Sequence, residues 1–240
     1  MREKIYISPS SQPANTYAVG NTNEQEQCRR IGAALNDALK RCGFEVKAGM
    51  DGTMYTRTRE SNAWGADLHV PIHTNALNGQ LRGTRMFCSS TTGEGGKACK
   101  AILAVLAPLV PGESDNVQSA NYYEITATKA PCAYVEAAFH DHKEQAQWII
   151  DHVVEIGEAI CEGICNHYGV KYVPANAEPQ PEVKPAQTPT QKPASTEMIY
   201  RVSDASGKQV GAYKEEANAI NEVKRQLKKS GAALITYSAR

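Results

Sequence analysis

Residues 65 to 76, GADLHVPIHTNA, decide how this chain is read. An apolar run of strand length ends on His73 and an amide-rich turn. A His at a strand end stands on rigid backbone, where sites of α/β sheets gather. Working outward, NTNEQEQCRRIG (residues 21 to 32) puts Glu24 at the start of a helix, and APCAYVEAAFHDH (residues 130 to 142) puts Glu136 at the end of another apolar run. A His and two Glu on three separate elements are the parts of a zinc hydrolase: two groups hold the metal and one handles the proton.

The surrounding sequence alternates strands and helices. KIYIS (4 to 8), FEVKAG (44 to 49), ADLHVPIH, TRMFCSS (84 to 90), YYEIT (122 to 126) and CAYVEAAF (132 to 139) read as strands. Between them, residues 24 to 42 place Cys28, Ile31, Leu35, Ala38, Leu39 and Cys42 on one helical stripe stopped by Gly43. Residues 56 to 65 and Gly96 to Leu109 read as two more helices, and residues 143 to 167 as one long helix. This order predicts a three-layer α/β domain with a mixed, largely parallel sheet over residues 1 to 173. Residues 174 to 194 carry 6 of the 12 prolines and no aromatic residue, the composition of an extended linker. Residues 195 to 240 then read as a small α+β domain of ββαβ order, in which no residue looks catalytic.

Composition narrows the function classes. The chain has 240 residues and no formal net charge, but residues 1 to 173 carry 16 Lys/Arg against 19 Asp/Glu, and residues 195 to 240 carry 8 against 5. No nucleic-acid motif accompanies the basic tail, so nucleic acid is not expected as a partner. No run is long enough to insert into a membrane. The seven Cys form no CxxC pair, which fits free thiols in a reducing compartment, with buried Cys acting as small hydrophobes. MREKIYISPSS has no apolar h-region, so the expected place of synthesis and folding is the cytoplasm.

Three segments together, GNTNEQEQCRRIG, VPIHTNA and YVEAAFHD, resemble the zinc-dependent N-acetylmuramoyl-L-alanine amidases over roughly residues 4 to 168. The resemblance implies a hydrolase that cuts the amide between the muramic acid lactyl group and L-alanine of peptidoglycan. It implies Glu24 and His73 as zinc ligands and Glu136 as the catalytic carboxylate. Family members typically carry a Gly-His pair after the first strand. This chain has ISPSSQPANTY (7 to 17) there, similar to a clostridial and phage-borne branch of endolysins. The tail is similar to SPOR-like modules, which implies wall anchoring. An endolysin of this kind reaches the wall when it is released at lysis.

The missing His leaves the third zinc ligand open. His69 shares a strand face with His73, but four residues along a strand is roughly 13 Å, too far for both to grip one ion. His69 is therefore expected to line the cleft or to pack. His140, on the loop leaving the strand of Glu136, is expected as the third ligand. Ser11, Gln12 and Asn15 are neutral oxygen donors, poor for zinc, and Asn15 is expected at water or substrate. Asn75 and Glu124 are expected to line the substrate cleft. An ion pair with Arg57, Arg59 or Arg85 is the competing role for Glu136. A metal-poor relative that binds wall without cutting it is the competing role for the chain.

Overall fold

The structure, a computed structural model, describes residues 2–175, 198–204, 208–213, 216–230 and 233–239. The chain divides into two compact units, Met1–Gln180 and Pro181–Arg240. The expected linker, residues 174 to 194, lies outside the described residues except at its first two positions.

The first unit runs β1 (Lys4–Pro9), α1 (Glu24–Arg41), β2 (Glu45–Ala48), α2 (Met54–Trp64), β3 (Leu68–Asn75), β4 (Arg85–Cys88), α3 (Glu94–Leu106), β5 (Gln118–Ser119), α4 (Tyr123–Thr126), β6 (Tyr134–Phe139), α5 (Lys143–Asp151) and α6 (Val153–Tyr168). Its six strands lie in the order β2-β1-β3-β6-β4-β5. All neighbours are parallel except β4, which runs antiparallel to β6. The fold is thus the mixed, mostly parallel α/β sheet expected.

Strand alternation sorts the two faces. Ile5 and Ile7 of β1, Leu68, Val70 and Ile72 of β3, and Val135 and Ala137 of β6 join the main core with residues of α1, α3 and α6. The intervening residues point the other way, toward α2 and α4: Tyr6 bonds Glu60 of α2, Ser8 bonds Glu124 of α4, and His69 stacks on Tyr6. The polar set is fixed by register as well as by face. His73 lies beside Glu136 on the neighbouring strand, one step past the Ile72 and Val135 pair.

Two expectations are corrected. YYEIT is not a strand; Tyr123–Thr126 is one helical turn, and the short β5 precedes it. Residues 143 to 167 are not one helix but two, broken at His152, whose φ of −121° and ψ of 25° leave the helical region. The apolar period continues across the break, so the sequence pattern does not show it.

The second unit is a three-stranded antiparallel sheet ordered β8-β7-β9 with one helix. Its elements are β7 (Met198–Asp204), β8 (Gln209–Tyr213), α7 (Glu216–Ser230) and β9 (Ala233–Ala239), the expected ββαβ order.

Helix α6 meets α3 glycine to backbone: a Cβ at Gly163 would stand 2.4 Å from the Ile102 Cα. Helix propensity favours Ala over Gly by about 1 kcal/mol, but overpacking a fixed backbone contact costs about 1–3 kcal/mol. Gly163→Ala is therefore expected to lower the unfolding free energy, measured by denaturant titration. An unchanged or raised midpoint would contradict this packing.

Candidate active site

The site is assembled from the carboxyl ends of β1, β3 and β6, the start of α1 and the single turn α4. Asn23 caps α1 by accepting the Glu26 N–H at 3.0 Å, which fixes Glu24 at the head of the helix, where a carboxylate is favoured. Glu24 is 1% exposed. Its backbone N–H donates to the Asn15 carbonyl at 2.9 Å, and the Asn15 amide donates to its carboxylate at 2.5 Å. The loop from β1 to α1 and the head of α1 thus hold one another.

His73 is the hub. Its Nδ1 donates to Glu24 Oε1 at 2.8 Å, and its Nε2 lies 3.9 Å from Glu124 Oε2. Gln12 Nε2 stands 3.3 Å from the same Nδ1. Its ring stacks on Tyr134 at 4.6 Å between centroids. Burial works against charge on this imidazole, yet the carboxylates of Glu124 and Glu24 beside it outweigh it and raise its pKa to about 9. Burial likewise opposes ionisation of the two carboxylates, and is overcome in both. The His73 and Asn15 hydrogen bonds hold Glu24 below its ordinary value, and the His69 hydrogen bond, with the nearby His73 ring and the Ser8 hydroxyl, draws Glu124 down to about 2.

Glu136 behaves oppositely. Burial pushes its pKa up to about 8, with Glu24 adding to the rise and His73 opposing it. None of the expected arginines pairs with it: Arg57 bonds the Pro9 carbonyl and Ser11, Arg85 pairs with Asp115 at 2.6 Å, and Arg59 makes no ion pair with it. One carboxyl oxygen, Oε2, is buried without a partner, as is His73 Nε2. Two carboxylates of one site are therefore pushed in opposite directions, Glu24 as a charged donor and Glu136 as a group able to trade a proton near neutral pH.

The other expected residues fall in different places. His69 is fully buried, donates to Glu124 Oε1 at 3.2 Å, and supports the site from behind rather than lining it. Ser8 also donates to Glu124. Asn75 accepts the Ala76 N–H at 2.8 Å and so shapes the turn after His73. The structure does not bring His140 to the pair. Its Nδ1 bonds the Thr74 carbonyl at 2.9 Å and its ring stacks on Tyr17 at 5.2 Å. Among the described residues, none of its hydrogen bonds reaches Glu24, His73 or Glu136.

A cavity of about 430 Å³ opens over His73 and Glu124, and Tyr55, Tyr122, Tyr123 and Tyr134 line it with Arg57 and Gln12. This tyrosine wall was not read from the sequence. Its members come from α2, the turn before α4, α4 and β6, and no periodic pattern links them. A larger cavity of about 720 Å³ lies at the other ends of the strands, among surface charges such as Glu45, Asp67 and Glu94, away from this cluster.

The sequence of residues 5–166 matches the family described as N-acetylmuramoyl-L-alanine amidase. The chain belongs to that amidase family. No curated protein matches it. Among solved structures, the amidase fold recurs in the catalytic domain of CwlV from Bacillus (Paenibacillus) polymyxa var. colistinus, at 18% identity and TM-score 0.62, covering 70% of this chain and 99% of that one. AmiC2 of Nostoc punctiforme is similar at 16% identity and TM-score 0.61, covering 70% and 97%. The catalytic domain of an endolysin targeting Clostridia difficile is similar at 22% identity and TM-score 0.55, covering 69% and 97%.

This amidase site offers a zinc ion two donors of suitable type. A buried carboxylate and an imidazole nitrogen converge at 2.8 Å, close to the roughly 3.3 Å separating two donors on one tetrahedral zinc. Glu136, with its unpartnered Oε2, pairs in register with His73 on the next strand.

The raised Glu136 pKa has a stability consequence in the metal-free protein. A carboxyl group with a raised folded-state pKa contributes stability below its unfolded value, and that contribution is lost as pH rises through about 8. Chelator-treated Glu136→Gln is therefore expected to gain on wild type in thermal midpoint between pH 5 and pH 9. A difference independent of pH would contradict the assignment.

Proposed function

We propose that this amidase hydrolyses peptidoglycan at the bond between the muramic acid lactyl group and L-alanine, with zinc as its cofactor. The observation that carries the reading is the buried set of Glu24, His73 and Glu136, with opposed proton affinities, whose His73 lines a tyrosine-walled cavity. Glu24 and His73 would hold the metal. Zinc bound there supplies Lewis acidity, which polarises the amide carbonyl and makes a nearby water more acidic. Glu136 takes the proton of the attacking water and passes it to the leaving amine, a role suited to a carboxyl with a pKa near neutrality. Asn15 holds the Glu24 carboxylate in place. Glu124, fastened by His69 and Ser8, faces the far side of the His73 ring. The tyrosines offer flat faces for sugar and lactyl groups.

For His140 to act as third ligand, its ring would have to give up Thr74. Gln12 already stands beside the pair. A neutral amide is a weak zinc donor, and this observation is what favours the second reading, a metal-poor protein that binds wall without cutting it. The ββαβ unit is proposed to anchor the chain to the wall in the manner of SPOR-like modules, after release at lysis.

The test combines elemental analysis with product analysis on purified peptidoglycan. Wild type is expected to release lactyl carboxylates and new L-Ala N-termini. His73→Ala and Glu24→Ala should each lose one equivalent of zinc relative to wild type, together with cleavage. Glu136→Ala should keep that zinc while its rate falls by about 10²–10⁴-fold, and His140→Ala should also keep it. Wall binding without cleavage in zinc-loaded wild type would establish the second reading.

A further inference from the structure

Seven cysteines are free and none takes part in the site above. Three of them, from two helices, are gathered at one point: Cys42, the residue capping α1, with Cys161 and Cys165 one turn apart on α6. Their sulfur atoms all lie within 4.8 Å of one another, and the Cys42 and Cys161 sulfurs are 3.7 Å apart. Three thiolates on a four-coordinate cation, each about 2.3 Å from it, stand roughly 3.8 Å apart. The spacing is therefore that of a ligand set before any side chain moves.

Burial holds the Cys42 thiol neutral, and the Cys165 hydrogen bond together with burial does the same for Cys161. A cation must therefore displace their protons, and the backbone beside Cys42 supplies one donor to its sulfur. The Val173 N–H donates to Cys42 Sγ at 3.3 Å, a backbone donor of the kind that stabilises a thiolate. The segment ending at Val173 is itself held to α1 by Arg41, which bonds the Val173 carbonyl at 2.7 Å. Cys161 and Cys165 already share protons unequally: their mutual hydrogen bond draws Cys165 below the ordinary thiol value and pushes Cys161 above it. Cys161 and Cys165 are fully buried while Cys42 is only partly so, which leaves an open side for entry and for a water as fourth ligand. On the same helix, Glu158 is paired with Arg41, which further ties α6 to the end of α1.

We propose that Cys42, Cys161 and Cys165 form a second metal site, a three-thiolate site for a soft cation of the zinc type. It is independent of the amidase site and ties the C-terminus of α1 to α6 and to the segment reaching Val173. Binding releases the thiol protons to solvent and involves no change of oxidation state.

The experiment is a cobalt(II) titration of the full chain, reduced with a thiol-free reductant and stripped of metal. Cobalt reports the site directly, because thiolate-to-cobalt charge transfer needs sulfur ligands and Glu24 and His73 cannot produce it. Expected are a near-ultraviolet charge-transfer band saturating at one equivalent bound to thiols, its bleaching by zinc, and its retention in His73→Ala. Cys42→Ser and Cys161→Ser should lose the band while keeping the wild-type circular dichroism. Absence of the band in reduced wild type would overturn the proposal without any variant being needed. A band of wild-type intensity in Cys42→Ser would also overturn it, since other thiols would then be the ligands.

Discussion

The contact between Glu24 and His73 is the constraint around which the rest of the site is arranged. A carboxylate with 1% exposure and a buried imidazole lose most of their hydration, and each is compensated there chiefly by the other, facing it at 2.8 Å. To bring them together, α1 must begin where it does, β3 must end where it does, and the loop after β1 must run beside them, with Gln12 and Asn15 against the pair. Asn23 fixes the first requirement by capping the helix, and the parallel pairing of β1 with β3 fixes the second. Arg57 fixes the third from below, through the Pro9 carbonyl and Ser11.

The same low-dielectric pocket explains why chemically identical groups diverge. Glu24 and Glu124 each have a nitrogen partner and stay ionised. Glu136 is also buried but has no hydrogen-bonded cation, so desolvation wins and its proton is held up to about 8. Adjacent register sets it beside His73 without placing a bond between them. A catalytic carboxyl needs that position, close to the charge and not neutralised by it.

Much of this was legible in the sequence, for physical reasons that can be named. β1, β3 and β6 are short, apolar and flanked by polar turns, so both their existence and their order could be read. Glu24 opens α1, His73 stands near the end of β3, and Glu136 interrupts the apolar run of β6. The misreadings share a different cause. Four residues such as YEIT fit strand and helix templates equally, and tertiary packing against α2 decided for helix. His152 breaks a helix whose apolar stripe runs on past it. His140 is near the site in sequence, but stacking on Tyr17 and bonding to Thr74 orient its ring, and neither partner is predictable from spacing. His69 and Ser8 could have been found together: two buried polar residues on the inner face of adjacent strands demand a partner, and Glu124 is that partner.

The measurement that tests the account most directly is an anomalous difference map at the zinc edge, from crystals of the full chain grown with zinc. The account predicts a peak touching the Glu24 carboxylate and His73 Nδ1, with Glu136 facing it. Zinc found elsewhere with Glu24 and His73 still bonded directly to each other would contradict it.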